Sequence, residues 1–249
     1  MEAAGQGTRK AGGRVAGVDV ARAVASLVMI QGHAYHGWVA TEHRDAAYAF
    51  TRVLGTLPLP AFLVLAGAGM TMRLEAGARR GERAGELRRG LLRRGLQVLG
   101  YGYAVNLAYG LIDGGLDAAT LLRTDVLHVI GLSIAAAAAF AVRAAEDGSP
   151  DVARFGRRAL GLGLLVTLAC PFVSAGNVPP LLAPWVGLVV DAPPYTRMPL
   201  VPLLAWLGVG AGVTAALRAR RDAGAFSAIA GAPAPALALT AALGALAAL

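Results

Sequence analysis

The sequence has few of the residues on which soluble and disulfide-linked proteins depend. Its 249 residues contain one cysteine, Cys170, which excludes a disulfide within the chain and argues against redox chemistry. Charged residues make up only 15% of the chain, whereas a soluble domain carries about 25%. The hydrophobic residues make up 56% and stand in long blocks, many of them near the roughly 20 residues of one membrane crossing. The sequence therefore predicts a multi-pass membrane protein.

Acidic residues are also scarce, since 15 Asp and Glu face 23 Lys and Arg and leave a net charge of +8. The arginines cluster between alternate apolar blocks, which is typical of topology signals rather than of nucleic-acid binding. If the N-terminus is cytoplasmic, the outside segments hold only Arg44, Arg52, Arg123 and Arg197. We therefore predict a cytoplasmic N-terminus and no nucleic-acid partner.

The apolar blocks predict an all-α, polytopic transmembrane helix bundle of about seven spans. The predicted spans are 17–40, 53–72, 91–112, 124–142, 159–174, 198–217 and 226–249. A flexible cytoplasmic tail (1–13) precedes a single transmembrane domain (14–249), which divides into 14–142 and additional spans in 143–249. The first span is expected to act as an uncleaved signal anchor.

The segments between the spans have distinct compositions. We predict a short polar loop at 41–52, an amphipathic surface helix at 73–94, a basic loop at 143–158 and a proline-rich outer loop, re-entrant or not, at 175–197. Within the second span, Pro58 and Pro60 are expected to interrupt helical hydrogen bonds, and Gly67 and Gly69 to allow close helix approach. The last block stops at Leu249 without a polar flank, so we expect the chain to be incomplete or a short form of a longer one.

The first span carries polar groups along one stripe. At 100° per residue these groups share one narrow arc: Asp19, Arg22, Ser26, Met29, His33 and His36. A charge at mid-bilayer costs roughly 2.5–3.5 kcal/mol on insertion scales. The stripe is therefore predicted to face a protein interior or a wet cavity, unless its end residues reach the headgroups and its histidines are simply packed in a core.

A second polar group lies at the start of the 124–142 span. Asp125 and His128 are three residues apart and share a face, and the predicted topology brings them to the same outer depth as His33 and His36. This predicts an acid–base group that deprotonates a hydroxyl or amine, with Asn106 as a hydrogen-bond donor. These side chains are also plausible metal ligands, but their spacing is not diagnostic and no metal is expected.

Basic residues at the predicted cytoplasmic face form the candidate cofactor-binding group, Asp19, Arg22, Arg73, Arg93 and Arg94. Arginines of this kind hold phosphates. The alternative is that they serve topology and contact anionic lipid, and for most arginines of 73–94 that alternative is favoured.

Four stretches resemble the transmembrane acyltransferases related to heparan-α-glucosaminide N-acetyltransferase. RVAGVDVARAVASLVMIQGH is similar to that family's opening helix, and LPLPAFLVLAGAGMTM to its second. LRRGLLRRGL resembles its basic entry to the third helix, and RTDVLHVIGLS its Val-Leu-x-x-Ile-Gly helix. The resemblance covers 14–139 and departs from the family at Ala23, where a glycine is usual.

The resemblance implies transfer of an acyl group, most simply acetyl, from cytosolic acetyl-CoA to a hydroxyl or amine of an extracytoplasmic sugar or glycan. It also implies a multi-pass protein of the bacterial inner membrane, in contact with lipid, with a homodimer left open. His33, His36 and then His43 are the candidates for the base, with direct attack or an acyl-histidine relay as the mechanism. Two alternatives stay open, a proton-coupled transporter and a membrane partner without catalysis.

Overall fold

The structure is a computed structural model that describes residues 16–169 and 200–219, together with single positions 182, 186, 189 and 198. Eight α-helices and one 3-10 helix are present in this part of the chain. They are α1 (Ala16–Trp38), the 3-10 helix (Thr41–His43), α2 (Ala46–Leu54), α3 (Pro58–Arg79), α4 (Ala84–Asp113), α5 (Ala118–Leu121), α6 (Val126–Phe140), α7 (Val152–Ala169) and α8 (Leu200–Ala219). The all-helical prediction is therefore confirmed for the described residues.

Helix α8 lies at the centre of the packing. It packs against α3 and α7, while α4 packs along α6, and α1 lies at the edge against α2 and α3. The core joins these helices through buried apolar side chains such as Leu63, Phe155 and Leu207. Glycines bring α3 and α8 into backbone contact, because a Cβ at Gly67 would collide with the Leu207 carbonyl. The predicted close approach is thus confirmed at Gly67 but not at Gly69, where an added Cβ would meet no atom of the described residues within 4 Å.

The region before α3 differs from its prediction. Residues predicted as a polar loop form α2, whose N-terminus is capped by the Asp45 carboxylate accepting from the Tyr48 N–H. Helix α3 then begins at Pro58. In the first turn of a helix the N–H groups have no intrahelical partner, so prolines there break nothing. Pro58 and Pro60 therefore start a helix, and the prediction that they interrupt one was wrong.

The predicted surface helix at 73–94 is also not formed. Helix α3 continues to Arg79, the chain turns at Gly81 with a positive φ of 73°, and α4 begins at Ala84. The turn is tied by Glu82, whose carboxylate accepts from Arg73 and Arg80. The hydrogen bonds from these two arginines, those from Arg73 first, hold the pKa of Glu82 below its usual value. The charged residues of this segment therefore close a helical hairpin.

One stretch of the described residues, Ala46–Arg79, is long and apolar enough to cross a membrane by length and composition. Val126–Phe140 and Leu203–Ala219 are shorter apolar helices. The number of spans and the side of the N-terminus stay predictions. The predicted outer loop at 175–197 and the last block at 226–249 lie outside the described residues, apart from single positions within the loop.

Candidate active site

The C-terminal end of α1 holds two exposed histidines. His36 Nδ1 is hydrogen-bonded to the Tyr48 hydroxyl of α2, and the two rings are stacked at 6.2 Å between centroids. Arg44 lies 5.2 Å over the same tyrosine ring, and Tyr35 stacks on it at 6.3 Å. His33 is exposed on the same helix. Tyr48 therefore holds one imidazole in place while both stay accessible.

The polar stripe of α1, predicted to face a protein interior or a wet cavity, does not pack into the interior formed by the described residues. The buried residues of α1 are Ala21 and Ala25, whose small side chains allow close packing on a neighbouring helix. Asp19, His33 and His36 are exposed, and the remaining stripe residues are exposed or half-buried. The stripe lies next to the packed face of α1 rather than on it.

The N-terminus of α6 places Asp125 and His128 in a reciprocal arrangement. The Asp125 carboxylate caps the helix and accepts from the Val126 N–H at 2.7 Å. The backbone N–H of Asp125 in turn donates to His128 Nδ1 at 3.2 Å. The hydrogen bond to the His128 ring therefore comes from the backbone N–H of Asp125. Because Nδ1 accepts a hydrogen bond, it carries the lone pair, and the proton of the neutral ring lies on Nε2.

His128 is buried, with 1% of its surface exposed. Its ring lies against Gly102 of α4, where a Cβ would come within 2.7 Å of Cε1, and Tyr103 meets it edge-on at 4.4 Å between centroids. The predicted single group of four residues is not formed among the described contacts, because the α1 imidazoles meet α2 while the α6 imidazole meets α4. Asp125 and His128 come together; His33 and His36 lie elsewhere.

Asn106 has a structural task. Its buried amide nitrogen donates to the Leu121 carbonyl at 3.2 Å and to the Arg123 carbonyl at 2.7 Å. An amide nitrogen carries two hydrogens, and both are used. The prediction that Asn106 serves the acid–base group as a hydrogen-bond donor is therefore corrected: Asn106 fixes the segment between α5 and α6.

That segment carries hydrogen-bonding groups that sequence reasoning missed as site residues. Thr124 is fully buried, and its Oγ1 has no partner among the described residues. The same holds for Arg123 Nε and for His128 Nε2. Buried polar groups are nearly always hydrogen-bonded, so three such atoms at one helix end require an explanation. The sequence did contain one signal for them, because two residues with hydrogen-bond donors, Arg123 and Thr124, directly precede the N-cap Asp125.

The candidate cofactor residues are dispersed. Arg22 pairs with Asp19 at 3.4 Å on the exposed side of α1, and Arg73 is engaged by Glu82 at 2.8 Å. Arg93 and Arg94 are exposed on α4 and form no ion pair within the described residues. These two are the cations most available to a phosphate. Within the described ranges, no group of three or more His, Cys, Asp or Glu side chains could hold a metal ion.

The described residues thus define an all-helical chain with accessible imidazoles at one helix end and buried hydrogen-bond donors at another, which are groups that acyl transfer uses. The family model described as heparan-alpha-glucosaminide N-acetyltransferase, catalytic, matches residues 14–248. The chain belongs to this family, and the resemblance found in the sequence is confirmed. No curated protein and no solved structure matches the chain.

Proposed function

We propose that this chain is a membrane-embedded acyltransferase that moves an acetyl group from acetyl-CoA to a hydroxyl or amine of an extracytoplasmic carbohydrate. The observation that carries the proposal is the match of an N-acetyltransferase catalytic family over almost the whole chain. The apolar stretch Ala46–Arg79 supports placement in a membrane, which we take to be the bacterial inner membrane. Lipid, acyl-CoA and the sugar acceptor are its partners in this proposal.

The proposed general bases are the exposed imidazoles of α1, with His33 ranked first and His36 second. His43, in the 3-10 helix, is ranked third. In the reaction, the acceptor nitrogen or oxygen attacks the thioester carbonyl carbon while the imidazole removes the acceptor's proton. The new C–N or C–O bond forms, the C–S bond breaks, and the leaving thiolate takes up a proton as CoA-SH. If His36 is the base, its Nδ1–H donates to the Tyr48 oxygen and leaves Nε2 free to take the proton of the acceptor. In the alternative relay, the imidazole itself carries the acetyl group.

Acetyl-CoA would bind with its phosphates at the predicted cytoplasmic face. Arg93 and Arg94 support this placement because they are exposed and unpaired within the described chain. Arg22 and Arg73 are paired with carboxylates, so phosphate binding there requires an exchange of partners. A guanidinium pairs with phosphate by charge-assisted hydrogen bonds of the kind it makes with carboxylate, so the phosphate would take the place of the carboxylate.

The test uses protein purified in detergent, radiolabelled acetyl-CoA and two probe acceptors, glucosamine for the amine and methyl glucoside for the hydroxyl. Wild-type protein is expected to label at least one probe. Changing His33 and His36 together to alanine should abolish labelling while the melting temperature stays close to that of the wild type, because both side chains are exposed. Near-normal labelling by the double variant would end the assignment of the base.

A separate outcome bears on the class of protein. If the wild type labels neither probe and acetyl-CoA does not raise its melting temperature, the transferase proposal fails as a whole. An intact Arg93→Gln, Arg94→Gln variant provides the matched test of the phosphate contact. It is expected to raise the KM for acetyl-CoA with kcat little changed, since a contact made equally in ground state and transition state affects binding alone.

A further inference from the structure

The geometry points to an oxyanion-binding subsite at the N-terminus of α6, formed by Arg123, Thr124 and His128, that takes the thioester carbonyl oxygen of acyl-CoA. This inference rests on the proposed acyl transfer and assigns the donors that stabilise its transition state. It requires that the α1 imidazole, which contacts α2 in this structure, and this end of α6 come to the same thioester when substrate binds. Its starting observation is chemical: the three side chains offer N–H or O–H groups, and each has a buried atom without a hydrogen-bond partner among the described residues. These three groups therefore have hydrogens to donate and no acceptor for them among the described residues.

The tautomer of His128 makes it a donor. The backbone N–H of Asp125 donates to Nδ1 at 3.2 Å, so Nδ1 presents a lone pair and Nε2 carries the proton of the neutral ring. A general base would instead need a lone pair on Nε2, the nitrogen that has no partner. Nε2 is buried and has no partner within the described residues. The imidazole therefore presents a fixed N–H, which is what a developing negative oxygen requires.

The neighbouring residues strengthen this assignment. Thr124 directly precedes the helix cap, is fully buried and has a hydroxyl without a partner among the described residues. Arg123 is half-buried and forms no ion pair in the described part of the chain, and it lies close enough to His128 to act on it electrostatically. The positive end of the α6 dipole adds to the same potential. The Asp125 carboxylate also acts on His128 electrostatically, and more strongly than Arg123 does, but it is engaged as the cap of α6. The buried donor atoms of Arg123, Thr124 and His128 are the ones that remain for an oxygen that gains negative charge during reaction.

Asn106 builds this subsite without touching substrate. Its amide donates to the carbonyls of Leu121 and Arg123, which fixes the backbone directly before Thr124. Gly102 leaves room for the imidazole, since a Cβ there would collide with the ring. Tyr103 covers the ring edge-on at 4.4 Å and is half-buried.

Matched variants test the subsite. Thr124→Val removes a buried, unpartnered hydroxyl at the subsite, and Ser133→Ala removes another from α6, roughly 140° around the helix from His128. Loss of one oxyanion donor costs about 10²–10³-fold in kcat. His128→Met and Thr124→Val are expected to lower kcat substantially, the former by about 10²-fold, with the KM for acetyl-CoA nearly unchanged. Ser133→Ala is expected to keep the wild-type kcat.

The His128→Gln variant tests whether residue 128 acts as a hydrogen-bond donor or as a general base. Glutamine at this position of a helix can accept from the N-cap N–H and still offers an amide N–H, but it cannot act as a base. We expect it to keep kcat within about tenfold of the wild type, and histidine-labelled ¹⁵N spectra of the wild type to show the Nε2–H tautomer. Melting temperatures of all variants report whether a loss of kcat is only a loss of fold.

The outcomes are distinguishable. If the wild type transfers acetyl but His128→Met and Thr124→Val match Ser133→Ala in kcat, the subsite is refuted while the transferase stands. If His128→Gln is as inactive as His128→Met, or the spectra show a proton on Nδ1, the donor assignment is refuted. If the wild type transfers no acetyl group, the proposed function and this inference fail together.

Discussion

Replacing Asn106 by leucine removes the two hydrogen bonds that hold the segment before α6. Each bond contributes a net of about 0.5–1.5 kcal/mol, and a buried carbonyl left without a partner costs about 1–3 kcal/mol. Because the leucine side chain also retains apolar packing, we expect the free energy of unfolding to fall by about 2–4 kcal/mol. Asn106→Asp should also destabilise, since its carboxylate would face the carbonyls of Leu121 and Arg123.

The assay is denaturant unfolding in mixed micelles, combined with acetyl transfer at a temperature where each variant is folded. Gln97→Leu is the control, because Gln97 is a polar side chain of the same helix that is exposed. It should leave both stability and kcat near the wild-type values. Because Asn106 fixes the backbone directly before Thr124, the folded Asn106→Leu variant should also have a lower kcat. The prediction is refuted if Asn106→Leu unfolds like Gln97→Leu, or if the folded variant keeps full kcat.

Two further predictions concern the packing and the hairpin. Gly67→Ala should destabilise by about 1–3 kcal/mol, because its Cβ meets a backbone carbonyl of α8 that cannot move aside, whereas Gly69→Ala should be neutral or stabilising by up to about 1 kcal/mol; equal melting temperatures would contradict this. The pKa of Glu82 is lowered by its hydrogen bonds with Arg73 and Arg80, so its contribution is present above the unfolded-state pKa and lost as the pH falls through the folded-state pKa. Glu82→Gln should therefore flatten the acid limb of stability against pH, and an unchanged limb would refute the assignment.

Long apolar runs made three helices predictable. The predicted spans 17–40, 124–142 and 198–217 agree with α1, α6 and α8 to within about two residues at each end. In α6 the boundary was readable because Asp125 is a helix-capping residue placed directly before an apolar block. A run of apolar residues that ends in polar ones fixes where a helix lies, because burial of the run outweighs local propensity.

The orientation of a helix was not predictable from its period. Periodicity groups the polar residues of α1 on one stripe, but it does not say which side meets the neighbouring helix. Ala21 and Ala25 decide that contact because small side chains permit close packing. The effect of Pro58 was not predictable for a related reason. A proline breaks hydrogen bonds inside a helix but is tolerated in its first turn, and only the structure shows that α3 begins at Pro58.

The candidate site was also predictable only in part. Asp125 and His128 were predictable as a pair because residues three apart share a helix face. Their bonding was not, since His128 Nδ1 accepts from the backbone N–H of Asp125, whereas a ring N–H that donates to the carboxylate would be the ordinary pairing. The contact of Asn106 with Arg123 joins residues 17 positions apart through a main-chain carbonyl. No sequence pattern encodes such a contact, because every residue has a carbonyl.

The central claim is tested most directly by following the acetyl group itself. Purified wild-type protein is incubated with trideuteroacetyl-CoA and glucosamine, and the sugar is analysed by mass spectrometry. The account predicts that glucosamine gains a trideuteroacetyl group with equimolar release of CoA-SH, and that the His33→Ala, His36→Ala variant releases neither product. Labelled sugar from that variant at the wild-type rate, or an unlabelled sugar with the wild type, would contradict it.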